Sequence, residues 1–276
     1  MPPSNPIPDH IKCLTKAAIS LKTKAGEPID VWELASPIDD KVLAAWAAHF
    51  RQHYCLDSEL DSLRNGTGLS RKDYLCQLVF PDNAKAPGPA IRAGDFAEIL
   101  ISDYLQHIAG AWVPRGKFRG KAVRNESVKG VDILGFHVVV PGKQSPNDVL
   151  TTFEVKASLT GTKYGGHLQQ AIDDSSKDVL RRAETLNATK RRLLAANEKA
   201  QALVVQRFQN ITDHPYIHHS GAAAVLVDEA FDKQSIVDTT DTVAHVNRKQ
   251  LKLLAVRGSD LMKLVHALYQ KAADDA

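Results

Sequence analysis

Two short stretches constrain this chain more than any others: Val128-Lys129-Gly130-Val131-Asp132-Ile133-Leu134-Gly135-Phe136 and Val149-Leu150-Thr151-Thr152-Phe153-Glu154-Val155-Lys156-Ala157-Ser158. Both are rich in β-branched and aromatic residues and read as short strands. The first carries Asp132, and the second carries Glu154 and Lys156. Side chains alternate faces along a strand, so Glu154, Lys156 and Ser158 share one face while Phe153, Val155 and Ala157 share the other. A carboxylate and an ammonium therefore stand roughly 6–7 Å apart along the strand axis. If Asp132 lies on the adjacent strand, two carboxylates and one lysine converge. Glu154 and Lys156 are expected to be partly exposed, since the core lies on the opposite face.

That trio suits a metal-dependent hydrolase. Mg²⁺ favours hard oxygen ligands and is held by one or two carboxylates together with water and substrate phosphate. A lysine beside it orients a water and offsets charge growing on the phosphate. A Glu-x-Lys pair alone is more often a solvated strand face with a cross-strand ion pair. The neighbouring segments decide between the two.

The 276 residues suffice for one large domain or two modest ones. Hydrophobic residues make up 43% and charged residues 24%, as in a soluble globular protein. No apolar run nears the roughly 20 residues that span a bilayer. The start, Met1-Pro2-Pro3-Ser4-Asn5-Pro6, does not read as a signal peptide. The expected location is the cytoplasm. Cys13, Cys55 and Cys76 are odd in number and widely spaced, which predicts reduced, structural thiols. A net charge of +3 is too small to argue for a polyanionic partner, so the placement of the charges matters more.

Residues 8–36 read as a hairpin or meander with strands at Ile11–Leu14, Ala17–Leu21 and Ile29–Leu34. Ser36-Pro37-Ile38-Asp39-Asp40 then starts a helix bearing Val42, Leu43, Trp46, Ala47 and Phe50 at helical spacing. Ser70 is the expected N-cap of a short helix through Leu78. Pro81 to Pro89 holds three prolines and a glycine and reads as a linker, giving an N-terminal region 1–86 for partner docking or regulation and a second domain 87–276.

From Ile91 a periodic helix begins, with Phe96, Ile99, Leu100, Leu105 and Ile108 on its apolar face and Arg92, Asp95, Glu98 and Ser102 off it. Glu98 could bring a third carboxylate to the metal shell. A basic run follows: Arg115, Lys117, Arg119, Lys121, Arg124 and Lys129, opposed only by Glu126. Read one way it is a solvated hairpin; read the other, its cations, Arg115, Lys117, Arg119 and Lys121 first, grip phosphates flanking a scissile bond.

After Ser158, Gly161-Thr162-Lys163-Tyr164-Gly165-Gly166 opens a helix from His167 whose polar residues, Gln169 and Gln170 among them, project toward Glu154 and Lys156. The glycine spacing is not that of a nucleotide loop. One long helix is expected from about Lys177 to about Phe208, with Val179, Leu180, Leu186, Leu193, Leu194 and Leu203 in its apolar set and Arg181, Arg182, Lys190, Arg191 and Arg192 on a solvated face or, as the alternative, against DNA. Ser220 to Val227 is a buried strand by composition. His214, His218 and His219 before it read as a surface loop rather than a zinc site. Lys249 to Ala273 reads as one or two amphipathic helices.

Helix with Glu98, strand with Asp132, strand with Glu154-x-Lys156, helix with Gln170, strand at 221–227: over roughly residues 91–230 this order resembles the PD-(D/E)xK nuclease superfamily. The resemblance implies an α/β (α+β) protein with a restriction-endonuclease-like αβββαβ core around a mixed central sheet, plus a small N-terminal α+β region and C-terminal helices. More narrowly, Ile91-Arg92-Ala93-Gly94-Asp95-Phe96-Ala97-Glu98, with Gly130 to Phe136 and Glu154 to Ser158, is similar to the HamA family, effector subunits of the bacterial Hachiman anti-phage system. By that likeness Asp132 and Glu154 would bind Mg²⁺, with Mn²⁺ as an alternative, and Lys156 would assist the attacking water. Glu98 would be a further metal or positioning residue. The substrate would be DNA, and the partner a superfamily-2 helicase subunit, HamB-like, that restrains the nuclease. Two rival readings are an inactive nuclease-like DNA-binding or scaffold subunit and a stand-alone restriction endonuclease.

Overall fold

The computed structural model describes residues 7–36 and 39–276; the proline-rich start and the Pro37-Ile38 part of the first helix signal lie outside the described residues. Leu14–Lys22 (β1) and Pro28–Leu34 (β2) form an antiparallel hairpin, preceded by a 3₁₀ turn at Asp9–Cys13 that takes up Ile11. Asp40–Gln52 (α1) follows, capped by Asp39, whose carboxylate accepts from the Lys41 amide at 2.7 Å. Next come Asp57–Arg64 (α2) and Arg71–Tyr74 (α3), the latter capped by Ser70 as expected.

Gly88–Asp103 (α4) starts inside the proline-rich segment rather than at Ile91. Pro89 stands in its first turn, where a missing N–H costs nothing. Ile133–His137 (β3) and Val149–Ser158 (β4) pair antiparallel, and His167–Ser175 (α5) crosses back over the sheet. The expected single helix beyond it is two, Asp178–Ala195 (α6) and Lys199–Arg207 (α7), because Asn197 turns into the left-handed region at φ +60°. Ile217–Val227 (β5), Lys233–Thr239 (α8), Leu251–Gly258 (β6) and Leu261–Asp274 (α9) complete the chain.

The sheet order is β1-β2-β6-β5-β4-β3, parallel through β2, β6, β5 and β4 and antiparallel at both edges. It is the mixed sheet expected. Four further local readings need correction. Residues 251–258 are a strand: Leu253, Leu254, Ala255 and Val256 are all buried, as an inner parallel strand requires on both faces. His218 and His219 lie within β5, not in a loop, and His218 packs its Nε2 3.1 Å from the Thr152 hydroxyl. Asp132 immediately precedes β3 instead of lying on it. The first of the three strands expected between α4 and α5 is reduced to a single bridge, Trp112 to Phe136.

One face of the sheet packs Phe153, Val155, Leu254 and Val256 against α1, α4 and α9 through Trp46, Phe50, Phe96 and Leu268. The other packs Ala222, Ala224, Leu226 and Ala255 against α5 and α8 through Leu168, Ile172 and Ile236. Helices α6 and α7 cover Leu134, Phe136 and Leu150 at the β3 edge with Leu186, Leu193 and Val205. Val179, Leu180, Leu194 and Leu203, expected on that apolar set, are exposed. Phe153 stands in register with Gly221, and a methyl group at 221 would meet its ring well inside 3.0 Å. Gly221→Ala is therefore expected to destabilise the protein by about 2–3 kcal/mol, read as a lower denaturant midpoint at unchanged m-value.

Candidate active site

Extending the β3–β4 register by one residue beyond Ile133–Phe153 brings Asp132 opposite Glu154 at the point where β3 ends. Asp132 Oδ2 accepts from the Val155 amide at 3.0 Å, which fixes its carboxylate against β4. Glu98, on α4, reaches the same place. The Lys117 ammonium joins them, 2.6 Å from Glu98 Oε2, 3.4 Å from Asp132 Oδ1 and 3.1 Å from the Asp132 carbonyl. Glu154 and Lys156 share a face as their alternation requires, with Nζ 3.9 Å from Oε2.

Glu154 is only 3% exposed, contrary to the expectation of partial exposure, because the N-terminal turns of α6 close over it. Arg181 donates to Glu154 Oε1 at 3.0 Å and to Asp178 Oδ1 at 2.7 Å. Lys156 remains part exposed and pairs with Asp174 at 2.6 Å. The residues that meet Glu154 and Lys156 are thus Asp174, Asp178 and Arg181. Gln169 bonds Asp173 and the Asp241 amide, and Gln170 bonds the Gly165 carbonyl.

Glu98, Asp132, Glu154 and Asp178 bring more negative charge together than Lys117 and Arg181 balance. Burial, and then the Asp132 charge, push the Glu98 carboxyl up to about 8 against the pull of Lys117. Burial, then Asp132 and Asp178, push Glu154 up to about 9, and burial lifts Asp178 to about 6. Asp178 also keeps one buried oxygen with no hydrogen-bond partner. A divalent cation relieves that combination: hard oxygens, surplus negative charge and an unsatisfied carboxylate oxygen fit Mg²⁺ or Mn²⁺ chemically. Glu98, Asp132 and Glu154 nevertheless do not bring one oxygen each within 4.8 Å of one another; the Lys117 ammonium lies between the first two.

The basic run is largely turned inward. Lys121, its side chain 4% exposed, pairs with buried Asp95, which also accepts from the Tyr54 hydroxyl at 2.7 Å. Arg119 donates to the Gln52 carbonyl at 2.9 Å, Arg124 pairs with Asp82 at 2.8 Å, and Arg115 pairs with Asp103 at 2.8 Å. Arg92 and Asp95, off the apolar face of α4, are buried too. The solvated-hairpin reading of the run does not hold: these side chains tie the loop to α1, to α4 and, through Arg124, to residues 76–82 before α4.

A cavity of about 170 Å³ opens beside Glu98, Lys117 and Asp132 and is walled on its far side by Glu184, Thr185, Thr189 and Arg192 of α6, with Lys129 at its edge. Arg192 has no carboxylate partner among the described residues; it donates to Thr189 Oγ1 at 3.0 Å, and its Nε is buried without a partner. The three cysteines are free thiols, and burial lifts Cys55 to about 11, which leaves it without nucleophilic thiolate at neutral pH. Among the described residues no helix is long and apolar enough to cross a membrane.

No curated protein matches this chain. A family model does: HamA matches residues 8–272, from the turn before β1 to the last turns of α9 and so through every residue of the centre described above, and the chain belongs to the HamA family.

Proposed function

We propose that this chain, as a HamA-family component of Hachiman defence, is a metal-dependent DNA nuclease and the effector of that anti-phage system, held in check by a superfamily-2 helicase subunit. The observation that carries the reading is the register position of Asp132 opposite Glu154, with Lys156 two residues on and Glu98 behind. Phosphodiester hydrolysis needs an anion-stabilising, water-orienting group beside a cluster of hard oxygens, and this is that set.

Asp132, Glu154 and Glu98 would hold Mg²⁺, with Mn²⁺ as a substitute; the ion supplies Lewis acidity toward a phosphate oxygen and acidifies a bound water. The remaining work falls to the chain. Lys156 orients the attacking water and offsets charge on the phosphate, and its partner Asp174 holds the ammonium in place while keeping it charged. Arg181 fixes the Glu154 carboxylate. Lys129 and Arg192, the cations on the cavity without a carboxylate partner among the described residues, grip the phosphates of the bound strand together with Lys117. Arg119 and Lys121 act in the fold.

Lys156→Ala is expected to abolish Mg²⁺-dependent DNA cleavage with thermal stability nearly unchanged, since its side chain is part exposed. Arg192→Ala should weaken DNA binding about tenfold and lower the salt slope by about 1. Full cleavage by folded Lys156→Ala would refute the reading. DNA binding without any cleavage in the wild type, with Lys117 retained between Glu98 and Asp132 at high Mg²⁺, would favour a scaffold subunit instead.

A further inference from the structure

A second cluster lies where the turn before β1 meets α1 and the end of α4. His10, in the 3₁₀ turn before β1, is buried, as is Asp103 at the end of α4. His49 on α1 is 28% exposed. His10 Nε2 lies 3.0 Å from Asp103 Oδ2 and His49 Nε2 lies 3.1 Å from Asp103 Oδ1. Among the described residues these three form the one group of His, Cys, Asp and Glu side chains whose ligand atoms all fall within 4.8 Å of one another.

His53, one helical turn after His49, adds a third imidazole, with its Nε2 3.4 Å from that of His49. The i, i+4 spacing places both rings on one side of α1. The His10 ring stacks on Trp46 at 4.9 Å and 3°, which fixes its plane. His53 is buried beside them.

We propose that His10, His49 and Asp103, with His53 as the adjacent fourth ligand, form a binding site for a borderline divalent transition ion, Zn²⁺ before the others. Imidazole nitrogen with one carboxylate oxygen selects Zn²⁺, Co²⁺ or Ni²⁺ over Mg²⁺ and Ca²⁺. Partial exposure of His49 gives the ion an entry. The histidines bind as neutral rings with the proton on Nδ1, so the Nε2–H donations to Asp103 are exchanged for bonds to the ion.

Arg115 is the competing charge: it donates to Asp103 Oδ1 at 2.8 Å and lies 3.4 Å from His53 Nε2, and its Nε and one terminal nitrogen also bond Gln106 Oε1 at 3.1 and 2.9 Å. An ion can enter only if the guanidinium swings away from Asp103 and His53 onto Gln106, which already accepts two of its bonds. A filled site would fasten the N-terminal turn to α1 and α4. Because His53 and Arg115 also line the cavity next to Glu98 and Asp132, it would hold one wall of that cavity in position.

The test titrates Zn²⁺ into the full chain, freed of metal by chelation, with calorimetry and thermal melting as readouts, and repeats it with Co²⁺ for its visible absorption. One equivalent of Zn²⁺, a raised melting temperature and a Co²⁺ spectrum of nitrogen–oxygen ligation are expected. His49→Gln, at a half-exposed position that should leave the metal-free fold intact, should weaken Zn²⁺ binding at least about 100-fold, whereas Glu154→Gln should leave it unchanged. No bound Zn²⁺ would show an ion-pair network only, and Zn²⁺ binding undiminished in His49→Gln would place the ion elsewhere; either result overturns the proposal.

Discussion

Glu154→Gln is expected to lower DNA cleavage about 10³-fold and, at pH 9 without metal, to raise rather than lower stability. Both effects have one cause. Glu154 is 3% exposed and faces Asp132 and Asp178, so its ionised form is disfavoured and its carboxyl is pushed up to about 9 by burial and those neighbours. An uncharged isostere keeps the volume and removes the buried like charge, while Arg181 keeps Asp178 at 2.7 Å. The gain should be about 1–2 kcal/mol, or roughly 2–8 °C in melting temperature for a chain of this size. A site that trades stability for function behaves this way. If Glu154→Gln instead unfolds the protein while residual molecules cleave normally, the Glu154–Arg181 pair is a structural ion pair and nothing more.

The second large effect is a pH dependence that Mg²⁺ reverses. Glu98 and Glu154 have ordinary carboxyl values of 4.5 and are raised in the folded protein to about 8 and about 9. Between those limits the folded state binds more protons than the unfolded state, so stability falls as pH rises. Their contribution is complete below about pH 4.5 and is lost on the way to pH 9. In EDTA the melting temperature should drop by several degrees between pH 6 and 9, reflecting a few kcal/mol shared over coupled groups. Mg²⁺ needs deprotonated ligands, so its stabilising effect should grow over the same interval. A Mg²⁺ effect that is flat with pH, or largest at pH 6, would remove these carboxylates from the ion.

Strand alternation carries the central juxtaposition: Phe153 and Val155 into the core, Glu154 and Lys156 to the other face, Asp132 on the neighbouring segment. Helix α4 and the buried β5 likewise follow from periodicity and composition. What local pattern could not convey is which polar faces turn inward. Asp174, Asp178 and Arg181 look like the solvated face of an ordinary helix, and only the path of α5 and α6 over the β4 edge brings them to Lys156 and Glu154. The basic run has the same history in reverse: nothing in Arg119 or Lys121 themselves announces the Gln52 carbonyl or Asp95, which lie far away in the chain. Strand β6 reads as helix because Leu251, Leu254 and Gly258 fit a helical repeat as well as Leu253 to Val256 fit an inner strand; pairing on both sides by β2 and β5 decides it. His10, His49 and Asp103 are separated by too much chain for any spacing rule to connect.

The most direct measurement is a calorimetric titration of Mg²⁺ into the full chain at pH 8, wild type against Asp132→Asn. Saturable binding in the wild type, with release of protons and loss of the binding heat in the variant, is the result expected of carboxylates gathered by two neighbouring strands around one ion. Equal binding heats in both proteins, or none in either, would contradict it.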